Sequence, residues 1–273
     1  MVFVSYICGE KITVIMYRYF IKLAFVGTRY HGWQAQENAF TVQEQITNAI
    51  GTIEDREIHL TGCGRTDAGV HAREFYAHFD SFSGFPEEER LKLIYRLNSY
   101  LPEDIVILDI IPVLPEAHAR FSATSRTYKY YVSSVKDPFN YGFSYRIFCN
   151  LNVELMNLGA EFLMNCSDFS SFAKSHTDVK TNICDLKYAR WEGDGEHLTF
   201  TVTSNRFLRN MVRAMAGTLL DLGKGNIDIV QLRKIVETGS RSAAGYSVPA
   251  CGLFLTEVRY PAEIFLASKV SIT

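Results

Sequence analysis

The 273-residue chain reads as an α+β protein. Three observations predict that class. Segments of strand and helix periodicity are interleaved in the order β-α-β-β-α-β. The same order recurs after Pro115. Within the second copy, strand-like residues 183–191 and 197–203 are joined by Glu192-Gly193-Asp194-Gly195, a turn-rich hairpin. Two copies of a split β-α-β arrangement predict two pseudo-equivalent halves, residues 16–114 and 115–262, with a ligand site in the cleft between them. No sequence identity links the halves, so the repeat is one of topology.

Residues 17–26 alternate in hydropathy and form the first strand. Thr41-Val42-Gln43-Glu44 has capping-box form, and Val42, Ile46, Ala49, Ile50 and Ile53 continue at helical spacing. Residues 58–61 make a short strand. Residues 74–82 make another, with Phe75, Ala77 and Phe79 on one face. Pro86 in a first turn, followed by Glu87, Glu88 and Glu89, opens a helix carrying Leu91, Ile94 and Leu97. Residues 105–113 are again strand-like. In the second half, residues 120–133 form a long aromatic strand. Residues 153–164 form a helix with Leu155, Met156, Leu158, Phe162 and Leu163. After the hairpin come helices at 208–222 and 229–238, and residues 253–260 close as a strand.

A chain of this length can bury a substantial core, as one large domain or two smaller ones. No apolar run approaches the ~20 residues that cross a bilayer. Residues 1–15 read as an N-terminal extension or a misplaced start, because Met16 directly precedes the first strong strand. They lack the basic leader and small-residue cleavage site of a signal peptide. Cys8, Cys63, Cys149, Cys166, Cys184 and Cys251 are scattered and form no Cys-x-x-Cys pair. That speaks against a zinc site or disulfide framework and for reduced thiols in the cytoplasm. The net charge of −2 is unlike that of a nonspecific nucleic-acid binder, which is normally basic. Any RNA contact must then come from local clusters, Arg120 with Arg126 and Lys129, and Arg206 with Arg209 and Arg213.

Between two of the strands lies Gly62-Cys63-Gly64-Arg65-Thr66-Asp67-Ala68-Gly69-Val70-His71-Ala72, which has neither periodicity. It sets one carboxylate among three glycines and an arginine. Glycine permits positive φ and lets a substrate come close to the main chain. An aspartate is ionised at neutral pH and can serve as nucleophile or base. A guanidinium two residues away can pair with phosphate or stack on a base. Thr66-Asp67-Ala68-Gly69 alone is more often an ordinary turn, and the whole eleven-residue string is what sets it apart. That string resembles the signature loop of the TruA family of tRNA pseudouridine synthases.

The resemblance extends over most of residues 16–262. Gly27-Thr28-Arg29-Tyr30-His31-Gly32-Trp33-Gln34 is similar to the family's first motif, which usually opens Tyr-Asp-Gly; here Phe25-Val26-Gly27 stands there, without the acid. Residues 119–130, ending Arg126-Thr127-Tyr128-Lys129-Tyr130, resemble the second motif. Residues 207–217 resemble the third, and Pro249-Ala250-Cys251-Gly252-Leu253 the closing one.

The resemblance implies the pseudouridine synthase fold: two halves joined in a continuous, largely antiparallel sheet with helices on one side, acting as a homodimer. It implies conversion of uridine to pseudouridine at tRNA nucleotides 38, 39 or 40, in the anticodon stem-loop, with Asp67 as nucleophile. It implies that Arg65 fills the space a flipped base vacates, Tyr128 covers the uracil, Arg213 pairs with Asp67, and Leu253 contacts the substrate. No cofactor is called for, since breaking the N-glycosidic bond and rejoining the base through C5 needs one carboxylate. Whether that carboxylate attacks ribose, attacks the base or removes a ribose proton stays open. A retaining glycosidase would need a second carboxyl ~5 Å away; the loop supplies none, Glu74 belonging to the next strand.

Each assignment has a plainer reading. Tyr128 and Tyr130 share a strand face and are of a type that commonly packs sheets. Arg209, Arg213 and Gly217 form an i, i+4, i+8 row, where two arginines repel unless an anion lies opposite. His71, with His59 and His78 flanking the loop, shows no recognised metal-ligand spacing and is expected to hydrogen-bond the loop. Two rival functions are a noncatalytic RNA-binding module on the same fold and a metal-assisted hydrolase using Asp67 and His71.

Overall fold

A computed structural model describes residues 2–7, 10–174 and 180–266. β1 (Val2–Ile7) and β2 (Glu10–Ile15) pair antiparallel as a small sheet of their own. The first half continues with β3 (Tyr17–Phe25), α1 (Val42–Glu54), β4 (Thr61–Gly62), β5 (His71–Ser81), α2 (Glu87–Tyr100) and β6 (Ile105–Val113). The second comprises β7 (Ser125–Ser133), β8 (Tyr145–Arg146), α3 (Val153–Met164), β9 (Leu186–Gly193), β10 (His197–Ser204), α4 (Met211–Gly223), α5 (Ile229–Thr238) and β11 (Leu253–Arg259).

From β3 onward the strands form one nine-stranded sheet in the order β6-β3-β5-β11-β7-β10-β9, with β4 on β5 and β8 on β7. The pairings are antiparallel apart from β7 with β8 and, at the centre, β5 with β11. The join between halves is therefore parallel, with Phe254 opposite His71 and Leu255 opposite Ala72. The sheet is largely antiparallel, as expected, with a parallel pairing where the halves meet. A parallel neighbour needs a long crossover, and here most of the second half intervenes between the two strands. On its other edge β11 is antiparallel to β7, so that Leu255 also lies opposite Tyr128. Register shifts between Leu255 and Glu257, a bulge that bends the strand beside Tyr128.

Several elements differ from the sequence reading, each for a packing reason. The strand expected at 58–61 is reduced to Thr61–Gly62, because the chain pairs only briefly with His78 and Ala77 before entering the loop. On α2 the buried side chains are Leu93 and Leu97, whereas Leu91 is exposed. Leu91 precedes Leu93 by two residues, about 200° around the helix, and so faces outward. The strand expected from 120 starts at Ser125, because His118 Nδ1 accepts the amides of Arg120 and Phe121 and folds those residues into a turn. The helix expected from 208 starts at Met211 after Asn210, whose φ of 69° puts it in the left-handed region.

Two buried clusters hold the sheet. One gathers β3, α1, β5, α2 and β6 around Phe20, Phe75 and Trp33 and takes Leu255 and Val258 from β11. The other gathers β7, α3, β9, β10, α4 and α5 around Tyr130, Trp191 and Phe200, and takes Val70 from the first half. Each half thus seats residues of the other. Tyr128 packs against both clusters. Helix α4 is buried nearly all round, which fits its apolar sequence. The exceptions are Arg213 and Asp221.

Candidate active site

Asp67 sits on an irregular stretch between β4 and β5 whose shape is imposed by residues 27–33. Gly69 N donates to Tyr30 O at 3.1 Å, and Trp33 N donates to Thr66 Oγ1 at 3.0 Å. The strap lies so close that a Cβ on Gly27 would fall 1.9 Å from Val70 O, and one on Gly32 would fall 2.2 Å from Thr66 O. Gly32 also has a φ of 88°, and Gly69 one of 79°, conformations that favour glycine. Gly27 N donates to His71 Nδ1 at 3.0 Å, so the first residue of β5 grips the strap from below. The first sequence motif therefore works as a cage for the aspartate loop.

The second half closes on the carboxylate. Arg213 Nη1 donates to Asp67 Oδ2 at 3.2 Å, and Arg209 Nε lies 3.7 Å from Oδ1. Arg213 Nε in turn donates to Val248 O at 2.7 Å. Helix α4 and residue 248 thus fix the guanidinium, and Arg213 fixes the carboxylate. The two arginines that would repel on one helix row have their anion, although Arg209 lies just before the helix. Asp67 keeps 20% of its side chain exposed, so it is held but open to a ligand. Gly217, third in that row, is buried where a Cβ would meet Tyr246 O at 1.9 Å.

Tyr128 is half-buried on β7, edge-on to Phe207 with ring centroids 5.1 Å apart. Burial pushes its phenol well above the ordinary tyrosine range, the nearby Cys63 and Asp67 adding to the effect and Arg126 opposing it. Asp67 and Tyr128 therefore share one electrostatic neighbourhood. Tyr130, two residues on, is fully buried and donates from its hydroxyl to Pro249 O at 3.0 Å, a packing role. Leu253 is buried opposite Tyr130 at the head of β11, in the second core. Arg65 is exposed and makes no hydrogen bond or ion pair with the described residues.

The arginines group differently from their order in sequence. Arg209 and Arg213 serve Asp67, whereas Arg206 joins Arg65, Arg120 and Arg126. Burial and these three charges lower the Arg120 pKa. Arg126 spends its guanidinium on backbone carbonyls, at 2.8 Å to Cys63, 2.6 Å to Arg120 and 3.0 Å to Asn205. Lys129, adjacent to Tyr128, faces the opposite side of the strand. In the sequence Arg126 is one member of a basic cluster from which an RNA contact could come, and no local pattern marks an arginine that ties carbonyls of distant segments.

His71 is buried and stacked on Phe254 at 4.5 Å, and burial lowers its pKa to about 4. Its partner is thus the strap and not, as the sequence suggested, the loop itself. Glu74 accepts from Val258 N at 2.9 Å and pairs with Lys22 at 2.8 Å, which commits it to joining the halves. Among the described residues no three His, Cys, Asp or Glu side chains converge as metal ligands, and no helix is long and apolar enough to cross a membrane.

A family model described as tRNA pseudouridine synthase matches residues 166–261. The chain is 49% identical over 249 residues to tRNA pseudouridine synthase A of Bacteroides fragilis, covering 91% of this chain and 98% of that protein. It is 49% identical over 253 residues to tRNA pseudouridine synthase A of Porphyromonas gingivalis, covering 92% and 100%. The protein of that name from Clostridium acetobutylicum is 38% identical over 242 residues, covering 88% and 98%.

Proposed function

The chain belongs to the tRNA pseudouridine synthase A family, and on that premise we propose that Asp67 is the nucleophile by which it isomerises uridines 38, 39 or 40 in the anticodon arm of tRNA. The observation that carries this reading is the Asp67 carboxylate, caged by its own half, pinned by Arg213 from the other, and still open to solvent. Isomerisation breaks the N1–C1′ bond, forms a C5–C1′ bond, and moves the C5 proton away while N1 gains one. Nothing else is consumed, which suits a site whose chemistry rests on one fixed carboxylate.

Tyr128 is suited to cover the uracil, since a phenol ring stacks on a base. Arg65, exposed and with no ion pair among the described residues, is suited to the gap the base leaves on flipping, a step that costs a few kcal/mol. Leu253, opposite Tyr130 on the neighbouring strand, is suited to back this wall of the site and meet the substrate there. Residues 16–114 carry the aspartate loop and residues 115–262 complete the cleft. The reading includes a homodimer, for which the exposed Phe139, Tyr141 and Phe148 are suitable surface.

Incubation of unmodified tRNA with the pure protein and a chelator, followed by mapping of pseudouridine, tests the reading. Product confined to nucleotides 38–40 supports it. Binding without product would favour a noncatalytic RNA-binding module, and dependence on metal would favour a hydrolase-like site. Sedimentation at micromolar concentration tests the dimer.

A further inference from the structure

Arg126 is placed unlike any other arginine near the site. Its Nη2 donates to Cys63 O and Arg120 O, and its Nη1 to Asn205 O, at 2.8, 2.6 and 3.0 Å. The three carbonyls belong to three separate segments: the aspartate loop, the turn before β7, and the chain leaving β10. Each segment presents an arginine within two residues of the bonded carbonyl. Arg65 lies two residues beyond Cys63, Arg120 is itself bonded, and Arg206 follows Asn205. Arg65 and Arg120 are exposed and Arg206 is half-buried. Among the described residues none of the three forms an ion pair.

We propose that Arg126 is a positioning residue whose three carbonyl bonds hold Arg120 and Arg206 as a preformed clamp for the phosphates of an RNA strand beside Asp67, with Arg65 held next to them at the gap left by the flipped base.

The physical argument is one of cost and geometry. Like charges brought together repel, and an acidic protein has carboxylates with which to relieve them, yet among the described residues none pairs with this cluster. The Arg120 guanidinium shows the strain, its pKa being lowered by burial and by Arg65, Arg126 and Arg206. Such an arrangement is favourable once an anion enters, because guanidinium–phosphate pairs are strong and directional. Arg126 cannot itself be that ligand while its donors lie on carbonyls. A planar fork is needed to reach three acceptors at once, and a lysine ammonium on a flexible stem cannot span them in the same way. Because the Cys63 bond also anchors the aspartate loop four residues before Asp67, Arg126 links phosphate grip to carboxylate placement.

The clamp rests on the RNA-substrate reading above, and its test separates the two. Affinity for an unmodified anticodon-arm RNA is measured across a salt series for wild type, Arg120→Gln, Arg206→Gln and Arg126→Lys. Each glutamine variant should lower the slope of log affinity against log salt by about one unit. Arg126→Lys conserves charge and should nevertheless lower the slope by about two units, with affinity down roughly tenfold or more. In turnover, Arg120→Gln should raise KM alone, whereas Arg126→Lys should raise KM and lower kcat. Circular dichroism establishes that each variant is folded. Wild-type slopes in both glutamine variants overturn the clamp, and a folded Arg126→Lys with the wild-type slope overturns the tie. If Arg126→Lys does not fold, the glutamine slopes still decide the clamp. A wild-type protein that makes no pseudouridine sinks the activity reading alone, since the binding slopes need no turnover.

Discussion

Arg213 and Asp67, 146 residues apart in sequence, meet through a 3.2 Å bond from Nη1 to Oδ2. The same guanidinium is anchored through Nε to Val248 O at 2.7 Å. Arg213 therefore has a fixed origin and a fixed target, and the carboxylate inherits its position from the second half of the chain. Arg213→Ala removes both bonds. Turnover should fall by about 10²-fold or more, the scale on which small misplacements of a reacting group act. Arg213→Lys restores charge but not the two-point geometry and should recover only part of the rate. Wild-type kcat in the alanine variant would show that the pair does not position Asp67.

Asp67→Asn should abolish pseudouridine formation while leaving the fold and RNA binding in place. The change is nearly isosteric but removes the charge that nucleophilic or basic action requires. The check is product mapping with a variant whose asparagine is verified by mass spectrometry. Substantial turnover by that protein would end the assignment.

Tyr128→Phe and Tyr128→Ala should fail differently. Phenylalanine keeps a stacking face worth ~1–3 kcal/mol per base, and alanine loses it. The phenylalanine variant should bind RNA near normally, with the alanine variant roughly 10-fold weaker or more. Equal affinity losses in the two would refute stacking as the main role of the ring.

Gly32→Ala should cost activity out of proportion to its size. The new methyl group would lie 2.2 Å from Thr66 O, at a φ of 88° that L-residues rarely adopt. The strap or the aspartate loop must move. Stability should fall by at least ~1 kcal/mol, and kcat should fall more than RNA affinity does. A variant with unchanged kcat and denaturation midpoint would show that the cage is not tight.

Stability should decline with acid before most carboxylates titrate. Burial lowers the pKa of His71 and of His78 to about 4, and lowers that of His118. Nδ1 of each accepts backbone amides: from Gly27 for His71, from Ala119 for His78, and from Arg120 and Phe121 for His118. These imidazoles stay neutral in the fold but take up protons in the unfolded chain near pH 6.5. The unfolded state then binds more protons, so stability is full above pH 6.5 and is lost as pH falls toward about 4. Each buried histidine contributes up to ~1.4 kcal/mol per pH unit in that window. Urea midpoints at pH 7.5, 6 and 5 should fall progressively, and the double variant His71→Asn, His78→Asn should flatten the trend. A flat wild-type profile would contradict it.

Local sequence was enough for the order of the main elements, β1, β2 and β8 apart, and for singling out the loop that carries Asp67. Residues 105–113, 153–164 and 229–238 carry local periodicity strong enough that the folded elements span the same residues. The eleven residues around Asp67 are contiguous, so their resemblance needed no tertiary information. Where one element faces two others, local patterning fell short. Leu91 fits the helical repeat of α2 yet faces solvent, because the partner sheet selects Leu93 and Leu97. That Arg209 joins Arg213 at Asp67 became visible in the folded chain alone. Arg126, Arg209 and Arg213 are alike in sequence as residues of a basic cluster. One is tied to three carbonyls and two hold Asp67. The physical reason is that periodicity reports how a side chain relates to its own helix or strand. The partner of a guanidinium is set by how distant segments meet: Asp67 and Arg213, 146 residues apart, come within hydrogen-bond reach where the two halves join.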